Sequence, residues 1–166
     1  MDRPWGEFAL TLTLGSSVTL INLAIQLWAI KHMLAYIGHR DNSDILQGDQ
    51  RHEIRVLAIC LGFLFLGHLL QFASWAVLFL LIGEFQSISV AFYHSAVNFT
   101  SLGYGDIVMS ERWRLLGPLE AANGILMLGL TAGVVLSVMS EFKGRRAQQA
   151  LVTSPGAKAD ARADDA

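Results

Sequence analysis

The stretch FYHSAVNFTSLGYGDI, residues 92–107, decides how this chain is read. Its glycines at 103 and 105 flank Tyr104. Glycine reaches positive φ without the Cβ clash that other residues meet, so GYG can turn successive carbonyls to the same side of an extended strand. The side chains of Leu102 and Tyr104 then point away, into packing. Four such strands around an axis give stacked rings of backbone oxygen, a geometry that coordinates a dehydrated monovalent cation. One chain supplies one strand, so the geometry calls for a tetramer.

The surroundings of this stretch are those of a membrane protein. The chain has 166 residues, 53% of them hydrophobic and only 16% charged, with a mean hydropathy of +0.45. The charges are segregated, which leaves charge-free runs at 8–30, 56–83, 85–105 and 121–140. Runs of about 18 or more apolar residues read as membrane spans. The run 85–105 differs from the others because Gln86, Ser87, Ser89, His94, Ser95, Asn98, Thr100 and Ser101 make it polar and two glycines close it. A helix of about ten residues followed by a glycine-interrupted strand cannot cross some 30 Å of lipid with its backbone satisfied. It enters and leaves on one side, where protein buries it or water lines it. The expected fold is therefore all-α: three transmembrane helices plus a re-entrant helix and strand.

Charge asymmetry orients the chain. Lys31, Arg40, Arg51 and Arg55 lie between the first two runs, and Lys143, Arg145, Arg146, Lys158 and Arg162 follow the last, whereas Arg3, Arg112 and Arg114 flank the opposite ends. Positive charge stays in the cytoplasm, so the N-terminus is expected outside and the C-terminus inside, an odd number of crossings. The first run is too long for the apolar core of a secretory signal and lacks a small-x-small cleavage site, so it is read as a retained helix. Its Asn22 and Gln26 share a face, which favours docking on the second helix near His68 and Gln71.

Composition and motifs exclude several classes. A soluble enzyme and a disordered chain do not fit the apolar content. A net charge of −2 provides no basic stripe for nucleic acid. One cysteine, Cys60, allows neither a disulfide framework nor a thiolate metal cluster. No helix carries arginine at every third position, so an arginine-rich voltage sensor is absent. The acids at 41, 44 and 49 with Gly48 do not have calcium-loop spacing and read as a solvated linker. His68 and Glu120 lack the partners that haem or metal chemistry needs, and no cofactor is expected.

The segment AFYHSAVNFTSLGYGD, residues 91–106, resembles the re-entrant pore segment and signature filter of the tetrameric potassium channels. The nearest architecture is the two-helix bacterial pore domain, here with an extra N-terminal helix. The resemblance implies a homotetramer in a cell membrane, in the bacterial inner membrane by that architecture. Its parts would be an outer helix over 55–83, a pore helix over 88–99, the filter over 101–105 and an inner helix over 113–142. Residues 1–33 are then the extra helix, 34–54 a cytoplasmic linker and 143–166 a disordered cytoplasmic tail. By resemblance, K+ is the permeant ion, held by carbonyls of Ser101, Leu102, Gly103 and Tyr104 together with the Ser101 hydroxyl, with Gly105 and Asp106 completing the signature. Besides lipid and its own copies, no partner is expected.

Two departures from the family pattern stand in the filter. Serine at 101 keeps the hydroxyl of the usual threonine but loses its methyl, and leucine at 102 moves the branch point of the usual valine away from the backbone. These support a second reading, a weakly selective cation channel. A third is a non-conducting assembly partner. His94 and Asn98 take the filter-support positions. His94 is read as a neutral packed imidazole, with titration against the filter as the alternative. Val97 stands where some of these channels carry a buried carboxylate, so no buried acidic pair is expected. Gly124 is either a hinge or a packing glycine. Ile125, Leu128, Ala132, Leu136 and Ser140 fall on one helix face, the expected cavity lining.

Overall fold

The computed structural model describes residues 4–40 and 50–152. They form four helices: α1 (Pro4–Arg40), α2 (Gln50–Leu81), α3 (Ile88–Phe99) and α4 (Leu116–Val152). Three of them contain stretches long and apolar enough to cross a membrane, Trp5–Gly38, Glu53–Leu81 and Leu116–Gln148. The 12 residues of α3 make a rod of about 18 Å, short of the roughly 30 Å of hydrocarbon.

Each helix starts and stops for a local reason. Pro4 opens α1, where the missing N–H costs nothing. Beyond α2, Gly83 takes φ 75°; its N–H donates to the Leu80 carbonyl and that of Glu84 to the Phe79 carbonyl. This is the glycine-capped Schellman ending. Pro118 sits in the first turn of α4, which tolerates it.

The long helices alternate in direction. Arg112, just before α4, pairs with Glu7 at the start of α1 at 3.4 Å, whereas Arg146 late in α4 pairs with Glu53 at the start of α2. α1 and α4 therefore run the same way and α2 runs against them. The start of α1 and the end of α4 lie at opposite ends of the bundle.

Two apolar cores bind the helices. One gathers Phe72, Trp75 and Phe79 of α2 with Phe99 of α3, Met127 of α4 and Val18 of α1. In it Phe72 meets Phe99 edge-on, with ring centroids 5.0 Å apart. The other, near the opposite end, gathers Met33, Val56, Cys60, Leu64, Val138 and Phe142. Outward apolar side chains such as Leu20, Trp28 and Phe65 are at least half exposed, as helices facing lipid require.

Some boundaries differ from the sequence expectation. The expected linker 34–54 is helical up to Arg40 and again from Gln50. Its acidic loop, 41–49, lies outside the described residues. Turns occupy 111–115, so α4 starts at Leu116 rather than 113, and it runs ten residues past 142 to Val152. The extension is physically reasonable: Arg, Ala and Gln are strong helix formers, Glu141 pairs with Arg145 at 3.1 Å, and Arg146 Nε donates to Glu53 Oε1 at 2.8 Å. Residues 153–166 of the expected tail lie outside the described residues.

Candidate functional site

α3 ends in a second Schellman pattern, this time without glycine. The N–H of Leu102 donates to the Val97 carbonyl at 2.9 Å and that of Ser101 to the Asn98 carbonyl at 2.8 Å. The left-handed position falls on Ser101, with φ 58°, where a side chain is strained. Gly103 and Gly105 follow at φ 60° and 72°, while Leu102 and Tyr104 do not have positive φ. In an ordinary strand successive carbonyls point to opposite sides; left-handed residues at alternate positions turn every second peptide back. Sequence reasoning anticipated positive φ at the two glycines and missed Ser101. The signal was the helix end at Thr100, which demands a left-handed residue next.

The segment 101–105 is bare within its own chain. Leu102 is 54% exposed and Tyr104 66%, and no atom lies within 4 Å of where a Cβ would stand on Gly103 or Gly105. A cavity of about 410 Å³ opens beside it, lined among others by His94, Asn98, Ser101 and Gly117.

Behind the segment, the side chains are bonded. His94 Nε2 meets Asn98 Nδ2 at 2.9 Å and the ring also hydrogen-bonds to the Ile107 backbone. The amide donates, so Nε2 accepts and Nδ1 carries the proton: a neutral imidazole with both nitrogens used. Its ring packs on Phe85 and Phe79, with centroids 4.9 and 5.5 Å away. Asp106 does not join His94 and Asn98. It accepts from the Tyr93 hydroxyl at 2.7 Å, a partner the sequence reading did not name. Glu84 holds the returning loop, accepting from the Ser110 hydroxyl at 2.7 Å.

A buried carboxylate is present after all, carried by α4 rather than by position 97. Glu120 is fully buried and its Oε1 accepts from Ser95 Oγ at 2.5 Å. It is a single acid and not a pair. Its only warning in the sequence was a lone carboxylate just ahead of the charge-free run 121–140, four residues before Gly124. At Gly124 a Cβ would stand 1.8 Å from the Phe99 carbonyl oxygen, so α4 touches the end of α3 with bare backbone. Packing therefore accounts for this glycine. Ile125, Leu128, Ala132, Leu136 and Ser140 are all exposed along one face of α4, and Gly129 and Gly133 have no neighbour within 4 Å.

The polar face of α1 docks on Gln71 as its sequence suggested, and on two residues it did not name, Ser74 and Thr131; His68 reaches α1 only through Gln71 and Thr131. Gln71 Nε2 donates to Gln26 Oε1 at 2.8 Å, and Ser74 Oγ to Asn22 Oδ1 at 2.6 Å. Gln26 Nε2 donates to Thr131 Oγ1 of α4 at 2.9 Å, and His68 Nε2 lies 3.0 Å from the same oxygen. Thr131 is thus a hub joining three helices. Among the described residues no group of three or more His, Cys, Asp or Glu is placed to hold a metal ion.

The fold defines a class, the all-α proteins with three helices long and apolar enough to cross a membrane, and comparison with known proteins shows what the chain is similar to. Residues 65–141 match a family described as "Ion channel". The chain is 33% identical over 130 residues to "Potassium voltage-gated channel subfamily A member 2" of Oncorhynchus mykiss, covering 74% of this chain and 26% of that protein. It is 34% identical over 115 residues to the subfamily A member 4 protein of Homo sapiens, 66% of this chain and 17% of that one. For the human subfamily A member 6 protein the figures are 33% over 116 residues, 67% and 22%. The chain spans about a quarter or less of the length of these relatives. No solved structure matches it significantly. The similarity is thus to potassium-channel subunits, a transport class and not an enzyme class. It is a distant one, and all of α1 and the start of α2 precede the residues that match the family.

Proposed function

We propose that the chain is one subunit of a homotetrameric, potassium-selective channel. K+ passes down the axis, coordinated by carbonyls of Ser101, Leu102, Gly103 and Tyr104 and by the Ser101 hydroxyl, with no cofactor. α3 is the pore helix, α2 the outer helix, and α4 the inner helix with its Ile125 to Ser140 face on the cavity. His94, Asn98 and Asp106 support the filter from behind. The protein sits in a cell membrane, by its architecture a bacterial inner membrane, with its N-terminus outside and the loop at 41–49 in the cytoplasm.

One observation carries this reading. Left-handed backbone recurs at residues 101, 103 and 105, in an exposed segment that leaves α3 and has no atom within 4 Å of a Cβ position at Gly103 or Gly105. Such a conformation is strained at Ser101 and, beyond the two helix-end hydrogen bonds of Ser101 and Leu102, gains little from its own subunit, so it is accounted for by what three further copies and an ion bring to it. The neutral, doubly bonded His94 supports a fixed packing role over a titrating one. Serine and leucine at 101 and 102 are what a weakly selective channel would rest on.

Purified protein in liposomes tests the proposal. The channel reading expects K+ flux that excludes Na+. Comparable Na+ flux would favour the weakly selective reading, and no flux at all would favour a non-conducting assembly partner.

A further inference from the structure

We propose that Glu120 is a positioning residue for ion selection: from the inner helix it holds the pore helix at Ser95, and through that helix it sets where the filter begins. The inference rests on the channel reading above.

The geometry is a matched pair of contacts. Ser95 and Phe99 are one turn apart on α3, and Glu120 and Gly124 are one turn apart on α4. The first pair is a hydrogen bond, Ser95 Oγ donating to Glu120 Oε1 at 2.5 Å between fully buried residues. The second is backbone contact, with the Phe99 carbonyl lying where a Gly124 side chain would begin. Together they fix α3 against α4 in both height and rotation. The filter starts two residues after Phe99, and the Schellman bonds from Ser101 and Leu102 return to Asn98 and Val97. A shift of α3 is therefore passed directly to the left-handed turn at Ser101. Asn98, a second hydrogen-bonding neighbour of the Glu120 carboxylate, also bonds to His94, so the same contact reaches the support layer.

A buried carboxylate is costly to hold in an apolar bundle, and apolar packing of the same shape would serve adhesion as well. What the polar group adds is direction: a hydrogen bond is confined in length and angle, whereas apolar contacts slide. Oε2 has no partner. Glutamine would keep the Oε1 acceptor and place its amide nitrogen where Oε2 stands, so it should do the same work.

The test uses full-length protein in liposomes, with the ratio of K+ to Na+ flux measured at matched tetramer content. Glu120→Ala should lower the ratio about tenfold, the scale of one buried hydrogen bond lost per subunit. Glu120→Gln should stay within about twofold of wild type, because the acceptor remains. Ser95→Ala should lower the ratio as Glu120→Ala does, and the double variant should lose no more than either alone, the signature of one shared contact. Should Glu120→Ala fail to assemble, Ser95→Ala and Glu120→Gln, which barely alter volume, decide. A selective wild type whose ratio survives Glu120→Ala or Ser95→Ala would overturn the positioning role and leave the channel reading intact. A loss in Glu120→Gln equal to that in Glu120→Ala would also overturn it, since the acceptor would then not be what matters. A wild type with no flux, or no selectivity, would overturn the channel reading and this inference with it.

Discussion

The two sides of the α3 C-terminus are built on opposite terms. Behind it, contacts within the chain are dense: Ser95 with Glu120, Asn98 with His94, the Phe99 carbonyl against Gly124, and the α1 amides with α2 and Thr131. In front, residues 101–105 turn left-handed at three positions, strained only at Ser101, and are exposed. The difference teaches where the contacts of the single chain end: the bundle packs on itself, while the segment after α3 is left exposed, and under the proposed function further copies would complete it.

Gly124 should produce the largest effect of any single substitution behind α3. Gly124→Val forces α3 and α4 apart, because the obstruction is backbone and cannot swing away; overpacking of this kind costs about 3 kcal/mol or more. Thermal unfolding in detergent should show a large fall in Tm. Gly129→Ala and Gly133→Ala, which meet no atom within 4 Å, should leave Tm unchanged or raise it, since alanine favours helix by about 0.5–1 kcal/mol. A tolerated valine at 124 would break the claim that this side is tightly closed.

The polar seam comes next. Gln71→Leu removes the donor to Gln26 and the partner of His68 Nδ1, 3.1 Å away. Hydrogen bonds between membrane helices are worth a fraction of a kcal/mol to about 2 kcal/mol, so the variant should lose about 1 to 2 kcal/mol in reversible unfolding. Gln26→Leu should lose a similar amount, and the two together less than the sum because they share a bond. Full additivity would show that α1 does not dock through this network.

The smallest effect belongs to the rim. Arg146 and Glu53 are partly exposed at the bundle end, where ion pairs contribute little and salt screens them. Arg146→Gln should leave Tm nearly unchanged at high salt. A large loss there would mean that the end of α4 is held more firmly than its exposure implies.

Much of this was legible in the residues, and the gaps have physical causes. Charge-free runs show helices directly, because lipid leaves the chain no other use for 20 apolar residues. The shared face of Asn22 and Gln26 pointed to Gln71, which bonds both, and to His68, which bonds Gln71 and Thr131 instead of α1. Thr131 stayed hidden, because a threonine in a helix commonly satisfies itself on its own backbone, as it does here with the Met127 carbonyl at 3.0 Å. Glu120 was seen and dismissed for want of metal-binding company, when what it needed was one serine 25 residues earlier. The end of α4 outran the sequence reading at 143–152 because its polar composition was read as a tail although Arg, Ala and Gln are strong helix formers, and its contact with Glu53 spans 93 residues, which no local pattern reveals.

The central claim is that the bare strand conducts, and Gly103 tests it most directly. Alanine at φ 60° carries a strain of about 1–2 kcal/mol in each subunit, and nothing within the chain would resist its relaxation. The measurement is K+ and Na+ flux into liposomes holding wild-type or Gly103→Ala protein at matched tetramer content. The account predicts K+-selective flux from wild type, and from the alanine variant either no K+ flux or the entry of Na+, with the tetramer intact. Wild-type selectivity retained in Gly103→Ala would show that this residue does not line the ion path, and would contradict the account.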